Sequence, residues 1–195
     1  MTLKMRSRNA FLTLVGLLVV MLATRCGLAS NLHLQDASWA IFFIGGFYLG
    51  DRWRWGFPAL MATAVVIDWV AIRYYGISNY CVTVAYGFLV PAYAALWLGG
   101  SWLRRHASFD APGLLALAAS APIAASVCFL LSNGSFYWLG GRGPAPTLAG
   151  WRVNVAAWYW PLVRVCLAYV ATAALIHVLV GKLTVPARPR AARMR

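Results

Sequence analysis

The chain has 195 residues, 62% hydrophobic and only 11% charged, with a net charge of +13. Soluble domains carry about a quarter of their residues as Asp, Glu, Lys and Arg, so this composition excludes an ordinary soluble fold and places the chain among membrane proteins. The basic excess does not mark a nucleic-acid module, because the Lys and Arg fall in short clusters between apolar runs, where they set topology and meet anionic headgroups.

A helix crossing roughly 30 Å of hydrocarbon at about 1.5 Å per residue needs about 20 mostly apolar residues. Six segments approach that length: 10–30, 36–53, 57–75, 82–98, 113–132 and 158–180. The first follows Lys4, Arg6 and Arg8 and contains Cys26, which invites a signal-peptide or lipoprotein reading. Arg25 stands where a small residue is wanted before a lipidated cysteine, and the apolar run exceeds the roughly 7 to 15 residues of a signal core, so a retained helix is expected. The second segment is short and carries Gly45, Gly46 and Gly50, which predicts close packing or fraying at its end. Asp68 lies inside the third, and the fourth follows the polar run 78–83 that contains Cys81. Between the fifth and sixth, residues 133–154 read as a long loop with Gly134, Gly140, Gly141, Gly143 and Gly150, and connections of that length are often lids or binding loops. Residues 1–181 are expected to form one six-helix transmembrane domain and 182–195 a basic, disordered cytoplasmic tail.

Lys and Arg accumulate on the cytoplasmic side of a membrane. In a six-span arrangement Lys4, Arg6, Arg8, Arg52, Arg54, Arg104, Arg105 and the tail cations share one side, which sets both termini in the cytoplasm. Arg25, Arg73, Arg142, Arg152 and Arg164 fall at or near the opposite ends; as exceptions they are candidates for function.

The outer loops so defined hold His33, Tyr75, Tyr80, Asn133, Tyr137, Arg142 and Arg152. An aromatic belt at headgroup level accounts for Trp and Tyr, but it does not call for Asn, His and Arg beside them, so this set is read as a binding surface. Asp68 is an acid well inside an apolar run, which costs about 2.5 to 3.5 kcal/mol or more unless it faces a cavity or finds partners. A helix-to-helix hydrogen bond is its structural alternative. Asp36 reads as an N-cap. The four acids, with no glutamate, argue against chemistry that needs a close carboxylate pair. Cys26, Cys81, Cys128 and Cys166 form neither a CxxC pair nor a zinc spacing. Cys81 differs from the rest by its polar surroundings and its predicted place at a helix start, which favours the thiolate and hence nucleophilic or metal-ligating behaviour. The other three read as small hydrophobes, and a disulfide from Cys81 to one of them is an alternative.

The six-span layout, the segment Ala40-Ile41-Phe42-Phe43-Ile44-Gly45-Gly46-Phe47-Tyr48, the order Asp68, Cys81, Tyr86, and the segment Ser132-Asn133-Gly134-Ser135-Phe136-Tyr137-Trp138-Leu139 resemble one family. It is that of the cobalamin-specific S components of energy-coupling-factor (ECF) transporters, in particular the solitary BtuM-type proteins. The resemblance spans roughly residues 30 to 180. It implies an all-α, S-component-like bundle whose vitamin site opens outward, residence in the bacterial inner membrane, and the cysteine matching Cys81 as an axial ligand of the corrinoid cobalt. A thiolate is a suitable donor for such a metal, and His33 is the alternative one. Many S components dock a shared ECF energising module through a small-xxx-small pattern on helix one, but residues 10–24 show no Ala-xxx-Ala, and Ala121 and Ala125 on helix five are the nearest equivalent.

The leading functional expectation is a transport protein that captures cobalamin outside and delivers it inward. The chain has no Walker A sequence, so energy comes from a partner or from trapping the vitamin inside. A second class is an enzyme in which Cys81 assists removal of an upper cobalt ligand such as cyanide. An S component for another vitamin, and an assembly protein with no small ligand, are the remaining readings.

Overall fold

The computed structural model describes residues 7–25, 34–107, 111–143 and 145–184, with side chains to residue 180. These form six α-helices: α1 (Ser7–Arg25), α2 (Ser38–Leu49), α3 (Trp53–Tyr74), α4 (Leu89–His106), α5 (Ala111–Leu139) and α6 (Leu148–Thr184). Two short 3-10 turns, Gly50–Arg52 and Val84–Phe88, join α2 to α3 and lead into α4. Among the described residues five stretches are long and apolar enough to cross a bilayer, namely Ser7–Arg25, Ser38–Tyr74, Val84–His106, Ala111–Leu139 and Leu148–Val180. The protein is therefore an all-α, multi-pass membrane protein.

The second stretch is not one rod. Arg25 donates hydrogen bonds both to Ser38 Oγ, in the first turn of α2, and to the carboxylate of Asp68, late in α3. Residues thirty apart on a straight helix would be about 45 Å apart. The chain therefore reverses at Gly50–Arg52, and α2 and α3 form an antiparallel hairpin. Asp51 in the reversal is ion-paired with Arg104 near the end of α4.

The glycines of α2 explain why so short a helix sits at the centre. A Cβ on Gly46 would collide with the Trp97 carbonyl, and one on Gly100 with the Phe43 carbonyl, so α2 and α4 touch backbone to backbone. Phe42 stacks on Tyr93 with ring centroids 4.3 Å apart, and the Ser101 hydroxyl donates to the Gly46 carbonyl at 3.1 Å. These contacts run in register, making the two helices parallel. The indole of Trp97 wedges against Gly45 on α2 and Gly56 on α3, closing the hairpin from the α4 side. Ser38, Ala40, Ile41, Phe42, Phe43, Gly45, Gly46 and Leu49 are all buried. Ala121 and Ala125 are also buried within the bundle, which accounts for their small size by packing.

Several expected boundaries need correction. The fifth and sixth helices extend to Leu139 and back to Leu148, so the connection is residues 140–147 rather than 133–154. Gly134 and Gly150 proved compatible with helix; Gly134 faces the ring of Trp151, and Gly150 leaves room for the Tyr137 hydroxyl, which a Cβ would strike. Of the glycines in this region, Gly141, with φ +63°, is the one in the left-handed region that favours glycine. Residue 182, the expected start of the tail, is still helical, and the expected disorder of 185–195 lies outside the described residues.

At the Asp51 end, α2, α4, α5 and α6 leave a small apolar cavity of about 160 Å³. Tyr48 and His177 border it and share a hydrogen bond of 2.7 Å.

Candidate functional site

A second cavity, of about 950 Å³, opens at the Arg25 end. That size is at the top of the range of about 300 to 1,000 Å³ for small-molecule sites. Its floor is a polar network built from four helices. Arg25 closes α1, and its guanidinium forms a two-pronged pair with Asp68 of α3, Nε to Oδ1 at 2.6 Å and Nη2 to Oδ2 at 2.7 Å. Its Nη1 donates to Ser38 Oγ at 2.8 Å, to Tyr93 Oη at 3.3 Å, and to Asp36 Oδ2 at 3.4 Å. Tyr86 donates its hydroxyl to Asp68 Oδ2 at 2.7 Å. The Arg25 side chain is 11% exposed and that of Asp68 24%, so the pair is largely shielded and strengthened by its low-dielectric surroundings. Asp36 accepts from the Ser38 amide at 2.9 Å and from its hydroxyl at 2.6 Å, so its carboxylate satisfies the first turn of α2 as well as meeting Arg25.

The walls come from α5 and α6. Asn133, Phe136, Tyr137 and Trp138 face Asn154, Trp158 and Leu162 across the chamber. The side-chain amide oxygens of Asn133 and Asn154 are buried without a hydrogen-bond partner, a state that costs about 1 to 3 kcal/mol each. The Tyr137 hydroxyl is occupied: it donates to the Thr147 carbonyl at 2.9 Å and accepts from the Thr147 amide at 3.1 Å, pinning the short connection onto α5.

The rim holds Tyr80, Cys81 and Arg142. Cys81 is exposed and its thiol is free, while Cys128 and Cys166 are free and buried; Cys81 is therefore not disulfide-bonded to either. It does not begin a helix. The helix-capping role belongs to Thr83, whose hydroxyl accepts from the Ala85 amide at 3.2 Å, and Cys81 lies two residues earlier in a turn closed by Val82 N to Asn79 O at 2.9 Å. The expected helix-start activation of its thiol consequently falls away, because the dipole effect fades beyond the first turn.

Of the expected site residues, Asp68, Tyr80, Cys81, Tyr86, Asn133, Tyr137 and Arg142 meet at this cavity. Tyr75 and Arg152 do not line it: Tyr75 is exposed at the end of α3, and Arg152 is exposed on the first turns of α6. His33 and Cys26 lie outside the described residues. Sequence reasoning did not select Ser38 or Tyr93, took Asn154 as the end of a loop, and singled out Arg25 only as a cation on the wrong side. That displacement was the available signal: an Arg ending an apolar segment calls for an acid, and Asp68 is the one set inside an apolar run. The sequence matches no family model and no curated protein.

Proposed function

We propose that the protein is a cobalamin-binding transport component of the bacterial inner membrane, resembling the S components of energy-coupling-factor transporters. In this reading it crosses the membrane six times with both termini in the cytoplasm. The reversal at Gly50–Arg52 supports the sixth crossing, because it turns one 37-residue apolar stretch into two antiparallel helices. The clusters Arg52, Arg54 and Arg104, Arg105 then share the cytoplasmic side with the N-terminus, as the distribution of cations requires.

The observation that carries the proposal is the 950 Å³ chamber with a free, exposed cysteine on its rim and a half-buried Arg25–Asp68–Tyr86 network as its floor. A large, flat ligand edged with amides finds aromatic walls for its ring and amide side chains for its periphery. A thiol at the rim supplies an axial donor to its cobalt. His33 is the alternative donor. Entry is from outside; release inward requires an energising partner or intracellular trapping. The lipid bilayer and a shared energising module are the partners this implies.

The test is the visible spectrum of protein purified from cells supplied with cobalamin. Stoichiometric corrinoid with an axial-thiolate spectrum is expected, and Cys81→Ser should change that spectrum and weaken binding, because a hydroxyl is a poorer donor than thiolate. Cys128→Ser and Cys166→Ser should leave it alone. Wild-type protein purified free of corrinoid, and unable to bind it when supplied, refutes the proposal.

A further inference from the structure

The connection between α5 and α6 reaches across the cavity mouth through one residue, Arg142. Its carbonyl accepts from the Tyr80 hydroxyl at 3.3 Å, and its guanidinium lies over the Tyr80 ring at 6.0 Å. Its Nη2 donates to the Val82 carbonyl at 3.4 Å. Tyr80 and Val82 are the two chain neighbours of Cys81, so the contacts of Arg142 straddle the thiol. Within the segment itself the bonds are short-range, Tyr80 N to Ser78 Oγ at 3.1 Å and Val82 N to Asn79 O at 2.9 Å. Such bonds shape a turn without fixing where it sits on the rim, which is left to Arg142 and to the Tyr80 ring packed on Phe136 of α5 with centroids 5.5 Å apart. On the other side, the connection is anchored to α5 by Tyr137, which holds Thr147 through both its amide and its carbonyl.

We infer that Arg142 is a positioning residue for Cys81, holding the cysteine at the cavity rim through Tyr80 and Val82. Its guanidinium is committed to the protein rather than to a ligand. Arginine suits this role because a planar cation can lie on an aromatic face while its edge donates to a carbonyl, whereas a lysine loses the planar stack. For its functional consequence the inference rests on the proposed cobalt-ligating role of Cys81, but the contacts can be tested without any corrinoid.

The experiment uses the full chain with Cys26→Ser. Because Cys128 and Cys166 are buried, a thiol-specific nitroxide attaches at Cys81. Losing an exposed cation–π contact shifts a local equilibrium by about two- to fivefold, so the mobile fraction of the nitroxide should rise by about that factor in Arg142→Ala. Arg142→Lys should rise less, and Tyr80→Phe, which keeps the ring and loses one hydrogen bond, less again. In unlabelled protein loaded with cobalamin, Arg142→Ala should lower the fraction with the Cys81-dependent spectrum, and Arg142→Lys should restore part of it. An unchanged nitroxide spectrum in Arg142→Ala overturns the inference. If in addition cobalamin affinity drops in that variant, Arg142 is a direct ligand contact instead. A nitroxide response in a protein that binds no cobalamin upholds the positioning role and removes the cobalamin reading alone.

Discussion

Breaking the Arg25–Asp68 pair is the perturbation with the largest expected effect on the bundle. Removing one member of a buried ion pair costs about 3 to 5 kcal/mol, because the survivor stays buried without its counter-charge. With Asp68 24% exposed, Asp68→Ala belongs at the lower end, about 3 kcal/mol. A domain of this length loses about 2 to 4 °C in Tm per kcal/mol, so a drop of about 6 to 12 °C is expected. Asp68→Asn keeps an acceptor for Tyr86 or for one Arg25 nitrogen and should lose about half as much. Arg25→Met with Asp68→Leu removes both charges together, and apolar replacement of a whole buried pair is often neutral, so the double variant should return to within about 1 kcal/mol of wild type. The assay is thermal unfolding in detergent followed by tryptophan fluorescence, arranged as a double-mutant cycle of Arg25→Met, Asp68→Leu and the two together. With each single variant costing about 3 kcal/mol and the double variant within about 1 kcal/mol of wild type, a coupling energy of about 5 kcal/mol is expected, above the usual range for contacting residues because each single change strands a charge. Additive single effects, or Asp68→Ala within about 1 °C of wild type, would show that the network does not hold the four helices together.

Gly46→Ala and Gly100→Ala should each destabilise the protein by about 1 to 3 kcal/mol, because the α2–α4 contact has no room for a methyl group, whereas Gly16→Ala, with open space around it, should not; melting temperatures decide. Reporter fusions after Arg54 and Arg105 should read cytoplasmic and fusions near Asn79 and Gly143 exterior; an exterior signal at Arg105 ends the six-crossing arrangement. A membrane-impermeant maleimide added to intact spheroplasts should label Cys81 and reach Cys128 and Cys166 only after denaturation.

Asp68 was legible in the sequence because an acid in an apolar run is expensive wherever it lands. Its partner was not, since Arg25 is 43 residues away and only the fold brings the two together. The reversal after α2 was legible from Gly50 and the flanking arginines, although apolar length alone runs α2 and α3 into one stretch. Cys81 was placed correctly inside a polar run but wrongly at a helix start: the polar run is itself the turn, and Thr83, with a side-chain acceptor, is the residue that starts helical structure. The 133–154 region misled through its glycines. In a bundle whose walls are helices, Gly134 and Gly150 sit where aromatic side chains of the neighbouring helix come in, not where the chain reverses, so polar wall residues such as Asn133 and Asn154 read as loop when they are helical.

The wedge of Trp97 between α2 and α3 has a consequence for how the protein comes into being. At 12 residues, about 18 Å, α2 is too short to be held in hydrocarbon by its own length. Until Trp97 has been synthesised, the glycine face of α2 has no cover and the α2–α3 hairpin is an open groove. Nascent chains ending before α4 therefore carry a half-built surface whose closure waits on one downstream indole.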